Sequence, residues 1–197
     1  MPDPVTGSNP DKRRTRRRWR RRVIPALAAA LLACLPAFSG SAGQPSTEYR
    51  IKAAFLYNFT SFVTWPGDTA DASGFTLCVL GEDPFGKLLD KLSGKQVNGP
   101  PLVIRRLKNL TRLDQCKLVF ISTASGNQVG DALGLLQELP VLTVSDVRGF
   151  ANLGGMIEFR IIANRVRFDI NVNAAESAGL IISSKLLSLA TRFRQGD

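Results

Sequence analysis

Hydrophobic residues in the middle of the chain fall in short runs that alternate with helix-like segments. The predicted strands are FTLCVLG (75–81), PLVIRRL (101–107), KLVFIST (117–123) and VLTVSD (141–146). Helices are predicted over 84–94 and from Ser125 to Glu138. Short apolar strands separated by helices are typical of a parallel sheet that helices cover on both faces. We therefore predict an α/β fold with a mainly parallel, Rossmann-like (doubly wound) sheet.

An aromatic-rich segment precedes these strands. EYRIKAAFLYNFTSFVTWP (48–66) has apolar residues at helical spacing and predicts one helix that Trp65-Pro66 ends. Burial in the core is the commoner fate of such residues. The alternative is that part of the aromatic face, with Tyr57, Phe62 and Trp65, contacts a partner protein.

The C-terminal third alternates hydrophobic and polar residues with the period of a β-strand. MIEFRII (156–162) and RVRFDINV (165–172) flank Ala163-Asn164, which predicts an antiparallel β-hairpin. One face carries hydrophobic residues and the other carries polar ones, namely Glu158, Arg160, Arg167, Asp169 and Asn171. The polar face is either a solvated surface with cross-strand ion pairs or a recognition surface.

The last segment, 171–190, predicts a short helix, a small strand and a final helix. Gly179 stops the first helix, LII (180–182) forms the strand, and a serine at 183 or 184 caps the last helix. Leu186, Leu187 and Leu189 are expected to face inward.

Charge changes the interpretation of the N-terminus. The chain carries a formal net charge of +10, and nine of its Lys and Arg residues lie in 12–22. Sixteen uncharged residues, VIPALAAALLACLPAF (23–38), follow them, and then SGSAG. A basic region, a short apolar region and small residues form a secretory signal peptide, and the apolar run is short for a membrane span.

We therefore predict a cleaved signal peptide over 1–43 and an exported, periplasmic α/β domain over 44–197. The arginines then do not indicate a nucleic-acid-binding protein. Two alternatives stay open, a retained N-terminal anchor with Trp19 at the interface and a lipoprotein lipidated at Cys34 in LLAC.

Cleavage leaves two cysteines, Cys78 and Cys116. An even number of cysteines in an oxidising compartment favours a disulfide, and the alternative is two buried thiols. The two residues come within bonding distance if their strands are neighbours.

The sequence contains no histidine, which excludes Ser-His-Asp and Cys-His catalysis and every histidine-containing metal site. Walker, CxxC and GxGxxG motifs are absent too, so no cofactor is predicted. Carboxylates such as Asp83, Asp146 and Glu158 have no informative spacing for acid–base catalysis. A binding site for a small ligand near Gly81 and Ser122–Ser125, at the carboxyl ends of the strands, is an alternative.

Several segments in order resemble the YfiR family. They are YRIKAAFLYNFTSFVTWP, LCVLG, the GG-I-F and V-F-IN elements of the hairpin, and AGLIISSKLLSLA, from about Tyr49 to Ala190. The resemblance implies a periplasmic α/β protein that represses a membrane-bound diguanylate cyclase, YfiN, by binding its periplasmic part, which lowers cyclic-di-GMP signalling. Cys78 and Cys116 match the positions of the family's disulfide, whereas the second cysteine pair of some members has no counterpart near Ala151 and Glu158.

The resemblance to the YfiR family predicts a regulatory protein and not an enzyme. Its expected partner is a YfiN-like cyclase or another inner-membrane sensor, with Tyr57, Phe62, Trp65 and the polar face of the hairpin as candidate contacts. Pairing at a sheet edge would give a homodimer, which the residues neither require nor exclude.

Overall fold

The computed structural model describes residues 46–67, 74–122, 126 and 128–194, so the predicted signal peptide, Cys34 and Ser125 lie outside it. The helices are α1 (Thr47–Phe59), α2 (Lys87–Asp90), α3 (Gln128–Leu136), α4 (Val172–Ser177) and α5 (Ser184–Leu189), with 3₁₀ turns at Leu113–Gln115 and Phe150–Leu153. The strands are β1 (Val63–Thr64), β2 (Phe75–Leu80), β3 (Leu102–Leu107), β4 (Leu118–Ile121), β5 (Leu142–Ser145), β6 (Ile157–Ile162), β7 (Arg165–Asn171), β8 (Ile181–Ile182) and β9 (Arg192–Arg194).

A seven-stranded sheet organises the described residues, in the order β3-β2-β4-β5-β6-β7-β9. Every neighbouring pair in it is parallel except β6 and β7, which form the predicted hairpin. The predicted α/β fold with a mainly parallel sheet is thus confirmed. Strands β1 and β8 pair separately as a short antiparallel sheet.

Alternate residues of the central strands enter two hydrophobic clusters, one on each face of the sheet. Leu77 of β2 and Phe120 of β4 join the cluster that includes α1. Cys78 and Val119, their neighbours in sequence, join the cluster that includes α3. This double coverage explains why these strands are buried on both faces and largely apolar.

The disulfide links Cys78 in β2 to Cys116 just before β4, with 6.0 Å between the two Cα atoms. Strands β2 and β4 are direct neighbours, which brings the two cysteines together. Both side chains are buried, and the bond closes a loop with a sequence separation of 38.

The first helix is shorter than predicted, because it ends at Phe59. The following β-branched residues, Val63 and Thr64, pair with β8 instead of continuing the helix. Trp65 turns inward, is only 2% exposed, and donates its Nε1–H to the carbonyl oxygen of Lys117 at 3.0 Å. The expectation that Trp65 contacts a partner is therefore wrong, since its ring packs in the core.

The hairpin turn has the predicted form. Ala163 and Asn164 have φ angles of +48° and +58°, as a two-residue type I′ turn requires. Position 161 departs from the expected pattern, because Ile161 is 50% exposed although it alternates with the buried Ile157 and Phe159. Leu189 is likewise 53% exposed at the end of α5 and does not face inward as predicted.

Candidate functional site

The polar side of the hairpin brings four predicted site residues together. The register places Glu158 opposite Asp169 and Arg160 opposite Arg167, so like charges face each other directly. A diagonal ion pair compensates this arrangement, since Arg160 Nη1 donates to Asp169 Oδ2 at 2.9 Å. We refer to Glu158, Arg160, Arg167 and Asp169 as the charged face.

The two carboxylates of the charged face are buried, unlike those of the fully solvated surface that was one of the two alternatives from the sequence. Glu158 is 6% exposed, and its two oxygens accept the backbone N–H groups of Gly149 at 3.0 Å and Ala151 at 3.1 Å. These amides open the 3₁₀ turn before β6, where free N–H groups attract a carboxylate. Glu158 therefore holds the turn against the sheet.

Asp169 plays a related part for Arg160. Asp169 is 8% exposed, and its Oδ1 atom is buried with no hydrogen-bond partner in the described part of the chain. The hydrogen bond from Arg160 to Asp169 raises the pKa of the guanidinium, which stays charged at every physiological pH. Arg160 and the exposed Arg167 thus present fixed positive charge at the surface.

A cleft of about 550 Å³ opens beside the charged face. Its walls come from the loop and 3₁₀ turn after β5 and from the segment that includes β9. The lining includes Arg148, Gly149, Asn152, Glu158, Arg160, Asp169, Thr191 and Arg192. We call this the arginine cleft.

A second charged cluster lies at the start of α1, which the sequence did not predict. Lys52 is only 2% exposed, and its Nζ lies 2.6 Å from Asp146 Oδ2 and 2.5 Å from Glu48 Oε1. The hydroxyl of Tyr49 donates to the same oxygen of Asp146 at 2.9 Å, and the Lys52 ammonium lies 4.4 Å from the centre of the Tyr49 ring. This buried ion pair fastens α1 to the carboxyl end of β5.

Comparison with known proteins identifies the family. A family model described as YfiR/HmsC-like matches residues 49–191. The chain belongs to the YfiR/HmsC-like family. The resemblance seen in the sequence is therefore confirmed.

Solved structures that match this YfiR/HmsC-like protein include a conserved domain protein from Vibrio cholerae O1 biovar eltor str. N16961. The two share a TM-score of 0.51 and 10% sequence identity over 74% of this chain and 60% of the other. The chain therefore spans 60% of the length of that relative, and the likeness shows a shared fold. None of the curated proteins matches the chain.

The aromatic candidates of this YfiR/HmsC-like protein lie apart from the charged face. Tyr57 is partly buried and donates its hydroxyl to the carbonyl oxygen of Gln96 at 3.0 Å. Phe62 lies near α5, where the Lys185 ammonium is 5.4 Å from its ring centre. Each residue thus contacts a different part of the protein, and the structure does not bring the two into the arginine cleft.

The carboxylates considered for catalysis occupy separate interactions in this YfiR/HmsC-like protein. Asp83 pairs with Arg106 at 2.7 Å, whereas Asp146 pairs with Lys52 and Glu158 binds backbone amides. Within the described ranges, no group of three or more Cys, Asp or Glu residues is placed to hold a metal ion. The same ranges contain no helix with the length and hydrophobicity to span a membrane.

Proposed function

We propose that this protein is an exported periplasmic repressor of a membrane-bound diguanylate cyclase, which it restrains by binding the periplasmic part of that enzyme. The observation that carries the proposal is the YfiR/HmsC-like match over residues 49–191, which includes every strand of the seven-stranded sheet except β9. Repression of the cyclase lowers cyclic-di-GMP and with it biofilm formation.

Export is part of this proposal. The signal peptide over 1–43 directs the chain to the periplasm, where the remaining 44–197 folds. The Cys78–Cys116 disulfide supports this compartment, because structural disulfides persist where the surroundings are oxidising.

A regulator that catalyses no reaction can act by shifting the equilibrium between the active and the inactive conformation of the cyclase. The repressor binds the inactive conformation of the cyclase more tightly than the active one, and only this difference in affinity moves the equilibrium. A change from almost entirely active to almost entirely inactive requires a preference of about 10⁴-fold for the inactive state.

The charged face is the proposed contact with the cyclase. Glu158 and Asp169 are buried and hold the backbone turn and Arg160 in place, whereas Arg160 and Arg167 extend to the surface. Opposite charge on a partner would steer its approach and fix its orientation on these arginines. Tyr57 and Phe62, which are partly exposed, are secondary contact candidates.

Direct binding tests the proposal. The purified protein is titrated into the periplasmic part of a membrane-bound diguanylate cyclase encoded beside its gene. We expect a saturable complex that Arg167→Glu weakens, whereas Arg105→Glu, an exposed position in the edge strand β3 at the other end of the sheet, leaves it intact. Absence of any complex with that cyclase would reject the proposed repression.

A further inference from the structure

The arginine cleft carries an inference that does not depend on a protein partner. Its volume of about 550 Å³ lies within the range of about 300–1,000 Å³ that is typical of small-molecule sites. Its walls are the 3₁₀ turn Phe150–Leu153 and strand β9, and both belong to the part of the fold that Glu158 and the sheet hold in place.

Two guanidinium groups in this cleft form no ion pair within the described ranges. Arg148 and Arg192 line it, and neither side chain forms an ion pair with another residue in the described ranges. Both residues are exposed, so solvent is the alternative to a ligand. Guanidinium groups bind carboxylate and phosphate through paired, charge-assisted hydrogen bonds.

The acidic residues of the cleft already accept hydrogen bonds from other groups of the protein. Both oxygens of Glu158 accept backbone amides, and Asp169 Oδ2 accepts from Arg160. Their negative charge is therefore compensated within the protein, which leaves the positive charge of Arg148 and Arg192 for a ligand. Asp169 Oδ1 is buried and is not accessible from the cleft.

We propose that the arginine cleft binds a small oxyanion, a molecule with a carboxylate or phosphate group. Arg148 and Arg192 bind the oxyanion, whereas Arg160 is already paired with Asp169.

Calorimetric titration of the purified protein tests this site with inorganic phosphate, citrate and tricarballylate. Phosphate, citrate and tricarballylate all carry the oxyanion groups that guanidinium groups bind. We expect saturable binding of at least one of the three.

Matched variants separate a site from general attraction by positive charge. Arg148→Gln/Arg192→Gln should weaken oxyanion binding by about tenfold or more. The control, Arg105→Gln/Arg165→Gln, removes the same charge from exposed positions that neither line the cleft nor belong to the charged face. It should leave the affinity within roughly twofold because solvent and salt screen distant charges.

Two results would overturn the inference. One is the absence of saturable binding by all three oxyanions at millimolar concentration. The other is an equal loss of affinity in the cleft variant and in its control. If the cleft variant instead loses only its affinity for the periplasmic part of the cyclase, the cleft is a protein contact, and the proposed function stands without the oxyanion site.

Discussion

Replacing Lys52 by methionine would leave a buried carboxylate without its cation. Lys52 lies on the buried side of α1, and the side chain of its partner Asp146 is 8% exposed. Methionine keeps much of the aliphatic length of lysine, so the loss is mainly electrostatic. The Tyr49 hydroxyl remains as a donor to Asp146 but carries no charge.

The expected cost follows from the burial of this pair. Removing one partner of a buried ion pair typically destabilises a protein by about 3–5 kcal/mol, because the remaining charge stays desolvated. The free energy of unfolding of a domain is about 5–15 kcal/mol in total. We therefore expect Lys52→Met to remove a large fraction of the stability.

Urea unfolding of the purified protein, followed by circular dichroism, measures this effect. Glu48→Gln is the matched control, because Glu48 contacts the same ammonium from a side chain that is 38% exposed. Its loss should cost about 1 kcal/mol or less, as for exposed pairs. Asp146→Asn in the Lys52→Met background should recover part of the stability. A loss below about 1 kcal/mol for Lys52→Met would refute the reasoning, since Lys52 would then not be holding a buried charge.

Further predictions concern the fold. Cys78→Ala/Cys116→Ala should lower the free energy of unfolding by about 4 kcal/mol from the loss of loop closure, measured by urea unfolding; a change below about 1 kcal/mol would contradict this. Burial raises the pKa of Tyr49 above its unfolded value of about 10, so the folded state retains a proton that the unfolded state loses. Stability should therefore decline as pH rises above about 10, and less steeply in Tyr49→Phe; parallel profiles would contradict it. Gly155→Ala would drive a methyl group into the Phe150 ring and should cost about 1–3 kcal/mol or more by thermal unfolding, whereas an unchanged melting temperature would show that the turn yields.

The sheet could be predicted because its signals are local. Short, mostly hydrophobic segments between turn residues identify the strands β2, β4 and β5, and Ala163-Asn164 between two alternating segments identifies the hairpin turn. The disulfide followed from the inferred compartment and from the family resemblance. The strands and the turn were predicted from a few neighbouring residues, and the disulfide from the cysteine positions of the family.

The end of α1 could not be predicted, because it depends on a distant partner. Helical periodicity continues past Phe59, but Val63 and Thr64 pair with Ile181 and Ile182, which lie more than a hundred residues later. Tertiary pairing overrides local preference in such segments. The burial of Trp65 follows from the same redirection of the chain.

The burial of the charged residues was the hardest feature to predict. Alternation placed Glu158 and Asp169 on the polar face correctly, but it carries no information about the turn amides and the arginine that cover them. Lys52 did leave a signal, since it lies at helical spacing from the buried Leu56 and Phe59. A lysine in an apolar stripe predicts a buried acidic partner, although the sequence does not show that this partner is Asp146.

Cellular cyclic-di-GMP is the measurement that tests the central claim most directly. It is compared in the parent strain, in a strain lacking this protein, and in a strain lacking both this protein and the membrane-bound diguanylate cyclase proposed as its partner. Repression predicts a rise in cyclic-di-GMP when the protein is removed and a return to the parental level when the cyclase is removed as well. An unchanged level in the first deletion would contradict the account.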